Sequence, residues 1–201
     1  MPPNVGELIE QIKGLEEELE VELANRRAEL RFSLIDRKVR FEREVLERHR
    51  QFKTGLLHYL LQARLRNLIT APVIYAIFFP MVLLDACVTL YQFVCFPLYR
   101  IPKVQRRDHM IYDRQNLAYL NLIEKINCTY CSYGGGLMSY IKEIVARTEQ
   151  YWCPIKHAQR VLQAHSRYGC FVDFGDAEAY RRELEKLRCD FNRDDQKETR
   201  E

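Results

Sequence analysis

The hydrophobic pattern of the first third of the chain repeats every eleven residues. Apolar pairs, each displaced by eleven from the last, occur at Leu8 and Ile12, Leu19 and Leu23, Leu30 and Leu34, Phe41 and Val45, and Phe52 and Leu56. Eleven residues make three α-helical turns of about 3.67 residues each, whereas a strand needs a period of two, which the pattern does not show. The pattern therefore predicts one long, charged, coiled-coil-like helix over residues 5–66.

This hydrophobic stripe is narrow, because arginines occupy the position that would widen it, at Arg26, Arg37 and Arg48. Aliphatic arginine stems commonly flank a coiled-coil seam, whereas a helix lying in a membrane interface needs a broader apolar face. We expect a homo-oligomer or a partner helix to dock along residues 8–56. The alternatives are a membrane-surface helix and a solvated helix held by ion pairs such as Glu22–Arg26.

Residues 68–99 form a second, apolar segment. From Ala71 to Tyr99 the only formal charge is Asp85, and fourteen of the 29 residues are Leu, Ile, Val or Phe. A buried helix of a soluble core is rarely this long and this uniformly apolar. The segment therefore predicts a membrane-embedded helix in contact with the lipid bilayer. A buried hairpin in a soluble core is the alternative.

Its topology depends on Pro80 and on the flanking charges. Pro80 lies near the middle and predicts a kink. Basic residues are more frequent after the segment than before it, which favours a cytoplasmic location for the C-terminal side. A single span would then place the N-terminal helix outside, whereas a re-entrant segment keeps both ends cytoplasmic. The pattern favours the re-entrant form slightly.

Asp85 is a candidate functional residue, because a carboxylate inside a membrane segment commonly serves a function. Its expected partner is Arg64, Arg66 or a basic residue of another chain. A protonated or snorkelling side chain near a bend is the equally favoured alternative.

Residues 100–190 predict a compact helical domain. The first helix is expected to follow Asp113 and to end at Gly134–Gly136, and a second covers 137–151. A third is expected from Pro154 to near Gly169, and Asp176 is expected to cap a fourth. Residues 191–201 are nearly devoid of apolar side chains and predict a disordered tail. The predicted fold class is thus all-α.

Four residues of this domain have a spacing that is typical of metal ligands. Cys128 and Cys131 form a C-x2-C pair, and Cys153 and His157 follow with four-residue spacing. Two thiolates in a tight turn can face one ion, and a Cys and a His four apart on a helix share a face. The spacing predicts a closed Cys3His zinc site. Buried unmetallated thiols and redox or catalytic use remain alternatives.

Two carboxylates precede these pairs by four residues. Glu124 and Glu149 could orient ligands from outside the zinc shell, or could belong to a carboxylate-rich iron site with His157. Two exposed helix charges are the simpler interpretation, because Glu is rarely buried.

The composition and the absence of certain sequence motifs argue against several classes of function. The formal net charge is +3, from 31 basic and 28 acidic residues, which argues against nucleic-acid binding. The start of the chain has no basic and apolar pattern of a signal peptide, so the seven cysteines do not predict a secreted disulfide scaffold. The GxGxxG, P-loop, HExxH and GxSxG motifs are absent from the sequence.

One stretch resembles a known group of sequences. The segments "NCTYCSYGGG" and "RTEQYWCPIKHA", preceded by "CFPLYRIPKV" and "DRQNLAYLNLIEK", resemble a family of small uncharacterised bacterial membrane proteins over about residues 68–160. The resemblance implies a bacterial membrane protein and assigns no activity. With the basic flank, it places the chain in the inner (cytoplasmic) membrane with a cytoplasmic C-terminal domain.

These observations predict a membrane-anchored interaction or assembly protein, leaning away from an enzyme, with a zinc-stabilised cytoplasmic domain. The first alternative is a membrane oxidoreductase or electron carrier that uses the same thiols with iron or as a dithiol. The second alternative is an accessory subunit of a larger membrane complex.

Overall fold

The computed structural model describes residues 5–30, 32–35, 38–55, 58–59, 61 and 64–191. The described chain is mostly helical, which confirms the predicted fold class in outline. It comprises two compact units. One contains the described part of residues 1–63 together with Asp113–Thr129, and the other contains Arg64–Tyr112 and the described part of 130–201.

The predicted 5–66 helix is wrong beyond its first 25 residues. Helix α1 covers Val5–Glu29, and two short antiparallel strands follow, β1 (Phe32–Ile35) and β2 (Lys38–Phe41). Their register pairs Phe32 with Phe41 and Leu34 with Val39. The segment alternates apolar and polar residues closely enough to favour strands. Leu34 and Phe41 also belong to the eleven-residue repeat, which predicted a helix at these positions.

Helix α2 (Arg43–Gln51) follows the hairpin in the same unit. In α1, Arg26 Nε lies 3.2 Å from Glu22 Oε1, as expected for a solvated helix, and both side chains are exposed. Exposed pairs of this kind contribute only about 0.3–0.5 kcal/mol. Their presence therefore does not show whether α1 acts alone or with a partner.

The apolar segment is helical throughout its described length. Helix α3 covers Leu65–Ala76 and helix α4 covers Phe78–Tyr99, and they meet at Ile77. Ile77 has right-handed helical angles (φ −64°, ψ −19°), so the chain does not turn back there. Pro80 falls in the first turn of α4, where its missing N–H costs little. The re-entrant form is therefore not observed.

Together α3 and α4 form one helical stretch, Leu65–Tyr99, of 35 residues. By length and composition it is long and apolar enough to cross a membrane. It is the only such helix among the described residues. This finding agrees in outline with the predicted membrane-embedded segment.

A return segment, residues 100–112, leads from α4 toward the longest helix. Arg100 ends α4 in the left-handed region (φ 56°), and the Ile101 N–H donates to the Phe96 carbonyl at 2.8 Å. The short helix α5 (Arg106–His109) and a 3-10 turn (Asp113–Asn116) follow. Helix α6 then covers Leu122–Trp152 without interruption.

The three consecutive glycines do not break the chain, contrary to prediction. They lie inside α6, where two of them permit close packing. A Cβ on Gly134 would lie 2.9 Å from the end of the Met81 side chain, and one on Gly136 would lie 2.8 Å from the His109 carbonyl oxygen. The glycine run therefore marks contact surfaces of a helix rather than its end.

The region after α6 is only partly as expected. The predicted helix from Pro154 to Gly169 does not form. An isolated bridge between Ile155 and Val172 and a 3-10 turn, Ser166–Cys170, occupy this region. Helix α7 (Ala177–Cys189) confirms the fourth predicted helix, and Asp176 caps it by accepting a hydrogen bond from the Ala179 N–H at 2.8 Å. Residues 192–201, in the predicted disordered tail, lie outside the described residues.

The core of the second unit forms where α4, the return segment and α6 meet. Its buried hydrophobic side chains are Phe96, Ile101, Val104, Leu137, Tyr140, Ile144 and Phe191. The return segment and the end of the described chain thus pack with the apolar helix in one unit. The predicted layout had instead assigned 68–99 and 100–190 to separate regions.

Candidate functional site: a buried polar cluster on the apolar helix

Helix α4 has an inverted distribution of polarity. Its buried residues are Asp85, Gln92 and Phe96. Leu90 and Phe93, which are strongly apolar, are 63% and 68% exposed. A helix of a water-soluble protein buries its apolar face and exposes its polar one. Helix α4 does the opposite at two of its three buried positions.

Asp85 lies at the centre of the buried polar cluster. Its two carboxylate oxygens accept hydrogen bonds from Arg106 Nη1 and Nη2, each at 2.6 Å. Tyr133 Oη donates to Oδ2 at 2.8 Å, and Thr89 Oγ1 donates to Oδ1 at 3.4 Å. The carboxylate is therefore paired with a cation in bidentate geometry and has further donors around it.

The partner of Asp85 differs from the expected one. Arg106 belongs to the return segment of the same chain, whereas Arg64, Arg66 or another chain was expected. The return segment runs back along α4, so that a residue 21 positions later in the sequence reaches the carboxylate. The side chain of Arg106 remains 45% exposed, whereas that of Asp85 is 12% exposed.

A second set of hydrogen bonds fixes the return segment beside this pair. The Gln92 side-chain oxygen accepts from the Val104 N–H at 2.7 Å, and Gln92 Nε2 donates to Tyr140 Oη at 2.9 Å. The Arg106 guanidinium also lies 5.9 Å from the centre of the Tyr140 ring. Both buried polar residues of α4 thus bind the return segment and α6.

The cluster changes the acid–base properties of its members. Burial, followed by the hydrogen bond to Asp85, raises the pKa of Tyr133 to about 12. The hydrogen bond to Asp85 raises the pKa of Arg106 above its ordinary value. Tyr133 therefore stays a neutral donor and Arg106 stays a cation at physiological pH. This arrangement is suited to neutralising a carboxylate and holding helices together.

The predicted metal ligands are not brought together. Cys131 lies in the middle of α6 and Cys153 just after its end, 22 positions later. At a rise of about 1.5 Å per residue, the helix places them about 33 Å apart. Among the described residues, no group of three or more His, Cys, Asp or Glu could hold a metal ion. The predicted convergence depended on a chain break at the glycines, which does not occur.

The other two predicted ligands have separate environments. Cys128 precedes Cys131 by one helical turn in α6. The His157 ring stacks on Tyr168, with 6.3 Å between ring centres, and the backbone N–H of His157 donates to Tyr168 Oη at 2.7 Å. The zinc ion, and iron as its alternative, therefore have no assembled ligand set in the described part of the chain.

The two candidate carboxylates outside the zinc shell have identifiable structural roles. Glu124 Oε2 accepts from the Asn121 N–H at 2.8 Å, and Asn121 Oδ1 accepts from the Glu124 N–H at 3.0 Å. This reciprocal capping box begins α6. Glu149 Oε2 lies 3.1 Å from His165 Nε2.

The first unit contains a separate open pocket of about 370 Å³. Phe41 and Tyr119 each contact the ring of His49 edge-on, with 5.3 Å between ring centres. His49 Nδ1 is buried and has no hydrogen-bond partner within the described structure. The pocket is lined mainly by apolar and aromatic side chains, together with the charged residues Asp113 and Arg114.

The cluster residues that sequence reasoning missed are Gln92, Arg106, Tyr133 and Tyr140. Arg106 was counted only as part of a basic flank. One signal was present in the sequence, since Gly134 and Gly136 follow Tyr133 and glycines often mark a close approach of neighbouring elements. No signal in the sequence pointed to Gln92.

No protein-family model, curated protein or solved structure matches the chain. The resemblance to bacterial membrane proteins therefore stays a prediction. The geometry described above is the basis for a functional assignment.

Proposed function

We propose that the chain is a membrane-anchored interaction and assembly protein, with the Leu65–Tyr99 helix embedded in a lipid bilayer. One observation carries this proposal. Helix α4 exposes most of its apolar side chains and buries Asp85 and Gln92. This distribution suits a hydrocarbon solvent, in which polar groups need protein partners.

The extent of the exposed apolar surface supports the bilayer as the occupant. In the most apolar window of this helix only 6% of the residues are buried. Exposed side chains occur along the whole stretch, from Leu65 at 71% to Leu98 at 73%. At about 1.5 Å per residue the 35 residues extend about 50 Å, which exceeds the hydrocarbon thickness of about 30 Å. The helix is therefore long enough to cross a bilayer.

The buried cluster lowers the free-energy cost of inserting this helix into a bilayer. An isolated Asp at the centre of a membrane helix costs about 2.5–3.5 kcal/mol on the insertion scale. Asp85 is instead bound by Arg106 and Tyr133. Because the ion pair carries no net charge, no free carboxylate has to be placed in the hydrocarbon around α4.

The proposed orientation follows from the basic residues. Arg100, Lys103 and Arg107 follow the apolar helix and are exposed. A basic excess favours the cytoplasmic side. We therefore place the C-terminal part of the chain in the cytoplasm, and the resemblance to bacterial membrane proteins favours the inner membrane.

The assembly role rests on helix α1. Leu15, Leu19 and Leu23 lie four residues apart in α1 and are 65%, 57% and 38% exposed. Residues at this spacing share one face of a helix. A second copy of the chain or a partner helix would cover this face. The docking helix is shorter than the sequence predicted, because it ends at Glu29.

The alternatives have less support. An electron carrier would need clustered sulfur ligands, and the structure separates Cys131 from Cys153. The accessory-subunit hypothesis relied on a neighbouring chain to neutralise Asp85, and Arg106 of the same chain already does so. Zinc stabilisation is not part of the proposed function, since the described residues provide no ligand set.

A matched pair of lysine substitutions tests the membrane placement. Leu83 on α4 is 66% exposed, and Leu162, outside the apolar helix, is 79% exposed. Leu83→Lys should release protein from the membrane fraction after an alkaline carbonate wash, because a central Lys disfavours insertion by about 2.5–3.5 kcal/mol. Leu162→Lys should leave the distribution unchanged. Equal recovery of native protein and both variants in the soluble fraction would contradict the proposal.

A further inference from the structure

We infer that the segment after the apolar helix binds anionic lipid headgroups through Arg100 and Lys103. The inference rests on the proposed membrane function and deepens it by naming the lipid class. It concerns charge, whereas the membrane proposal depends on the exposed apolar face. The two can therefore fail separately.

The charge balance of the segment leaves cations in excess. Among residues 100–109 the formal charges are Arg100, Lys103, Arg106, Arg107 and Asp108. Arg106 is neutralised by Asp85, and Arg107 Nε lies 3.9 Å from Asp108 Oδ1. Two positive charges therefore remain after these pairings, those of Arg100 and Lys103, and both residues are exposed.

The position of the cations links them to the apolar face. Lys103 Nζ lies 4.8 Å from the centre of the Phe93 ring, and Phe93 is 68% exposed. Arg100 directly follows the last residue of α4. An occupant that contacts the apolar face therefore also meets the cations.

This combination selects a lipid surface over other polyanions. A bilayer that contains anionic lipid offers hydrocarbon to Phe93 and negative headgroups to the neighbouring cations. A nucleic acid would satisfy only the charges and would leave the apolar face in water. Each basic side chain near an anionic surface favours association by about fivefold.

The single tryptophan provides a local reporter. Trp152 is 49% exposed, and its ring centre lies 5.3 Å from that of Tyr99, the residue before Arg100. Native protein would be reconstituted in phosphatidylcholine vesicles with a small fraction of either phosphatidylglycerol or phosphatidylcholine, each carrying a pyrene-labelled acyl chain. Energy transfer from Trp152 then reports which lipid accumulates beside the segment.

The expected result is stronger transfer to the anionic lipid than to the neutral lipid at equal mole fraction. The double variant Arg100→Gln, Lys103→Gln should lose this excess. The charge-preserving variant Arg100→Lys, Lys103→Arg should keep it. A surface control that removes the same charge elsewhere is Arg181→Gln, Lys186→Gln on α7, and it should also keep the excess.

Salt separates a charge effect from a structural one. Raising the ionic strength to about 1 M shortens the Debye length to about 3 Å, so the excess should fall in the native protein. Equal transfer to both lipids in vesicle-bound native protein would overturn the inference and leave the membrane proposal standing. If the native protein does not incorporate into vesicles at all, both fail.

Discussion

Asp85 and Arg106 form a bidentate ion pair in which both nitrogen–oxygen distances are 2.6 Å. The pair joins the return segment to the apolar helix and supplies the counter-charge of the only acidic residue between Ala71 and Tyr99. The ion pair is internal, because both residues belong to the same chain.

The first prediction concerns removal of the cation. Arg106→Met should destabilise the protein by about 2 kcal/mol, because it leaves a mostly buried carboxylate without its cation. The value is below the usual 3–5 kcal/mol because Arg106 is partly exposed. Adding Asp85→Asn should recover part of the loss, since the carboxylate is then neutral. Thermal unfolding followed by circular dichroism in detergent micelles measures both effects.

The same double variant can also give a result that contradicts this prediction. If the two substitutions destabilise additively, Asp85 and Arg106 are not coupled, because independent sites add within about 0.3–0.5 kcal/mol. The internal ion pair would then not form in the folded protein.

The second prediction concerns alkaline pH. The pKa of Tyr133 is raised to about 12 in the folded protein, against about 10 in the unfolded chain. Between pH 10 and 12 the unfolded chain therefore loses a proton that the folded protein keeps, and the free energy of unfolding falls as pH rises. The contribution is fully present below pH 10.

Absorbance of the twelve tyrosines at alkaline pH measures this effect. One group should ionise later than the others in the native protein, and Tyr133→Phe should remove that late step. Loss of an early-ionising group in Tyr133→Phe would show that Tyr133 is not held by Asp85.

The third prediction compares adjacent glycines of α6. Gly136→Ala should destabilise the fold by about 1–3 kcal/mol, because the new Cβ would lie 2.8 Å from the His109 carbonyl oxygen and 2.7 Å from Met110 Sδ. Gly135→Ala meets nothing within 4 Å and should stabilise the helix by up to about 1 kcal/mol. Melting temperatures of the two variants should therefore shift in opposite directions. Equal stabilisation by both would mean that α6 does not approach the return segment at Gly136.

The fourth prediction concerns metal removal. Cys153→Ala should change stability by less than about 0.5 kcal/mol, as expected for an exposed side chain, and Cys189→Ala is the exposed control. A strong chelator should leave the helical signal unchanged. Elemental analysis that finds one zinc per chain, lost in Cys153→Ala together with cooperative unfolding, would restore the Cys3His site.

Local signals in the sequence predicted individual helices well. The Asp176 cap correctly predicted the start of α7, because capping depends on nearby backbone groups. The run from Ala71 to Tyr99, in which Asp85 is the only charged residue, correctly predicted a long apolar helix. The hairpin between Phe32 and Phe41 was missed because a period of two over eight residues competed with a longer helical repeat.

Contacts between distant residues could not be read from the sequence. The partner of Asp85 depends on the path of the return segment, which no periodicity encodes. The predicted metal site required Gly134–Gly136 to end a helix, whereas the structure places them inside α6. Glycine has low helix propensity, but at Gly136 the close approach of His109 and Met110 favours it over a larger residue.

The most direct test of the inverted apolar helix uses two native cysteines. Cys87 on α4 and Cys189 at the end of α7 are both free and exposed. Variants that retain only one of them would be nitroxide-labelled, placed in lipid vesicles, and studied by electron paramagnetic resonance with oxygen, which enters hydrocarbon, and with a water-soluble nickel chelate. The account predicts that a label on Cys87 relaxes more with oxygen and that one on Cys189 relaxes more with nickel. A label on Cys87 that responds to nickel as strongly as one on Cys189 would contradict it.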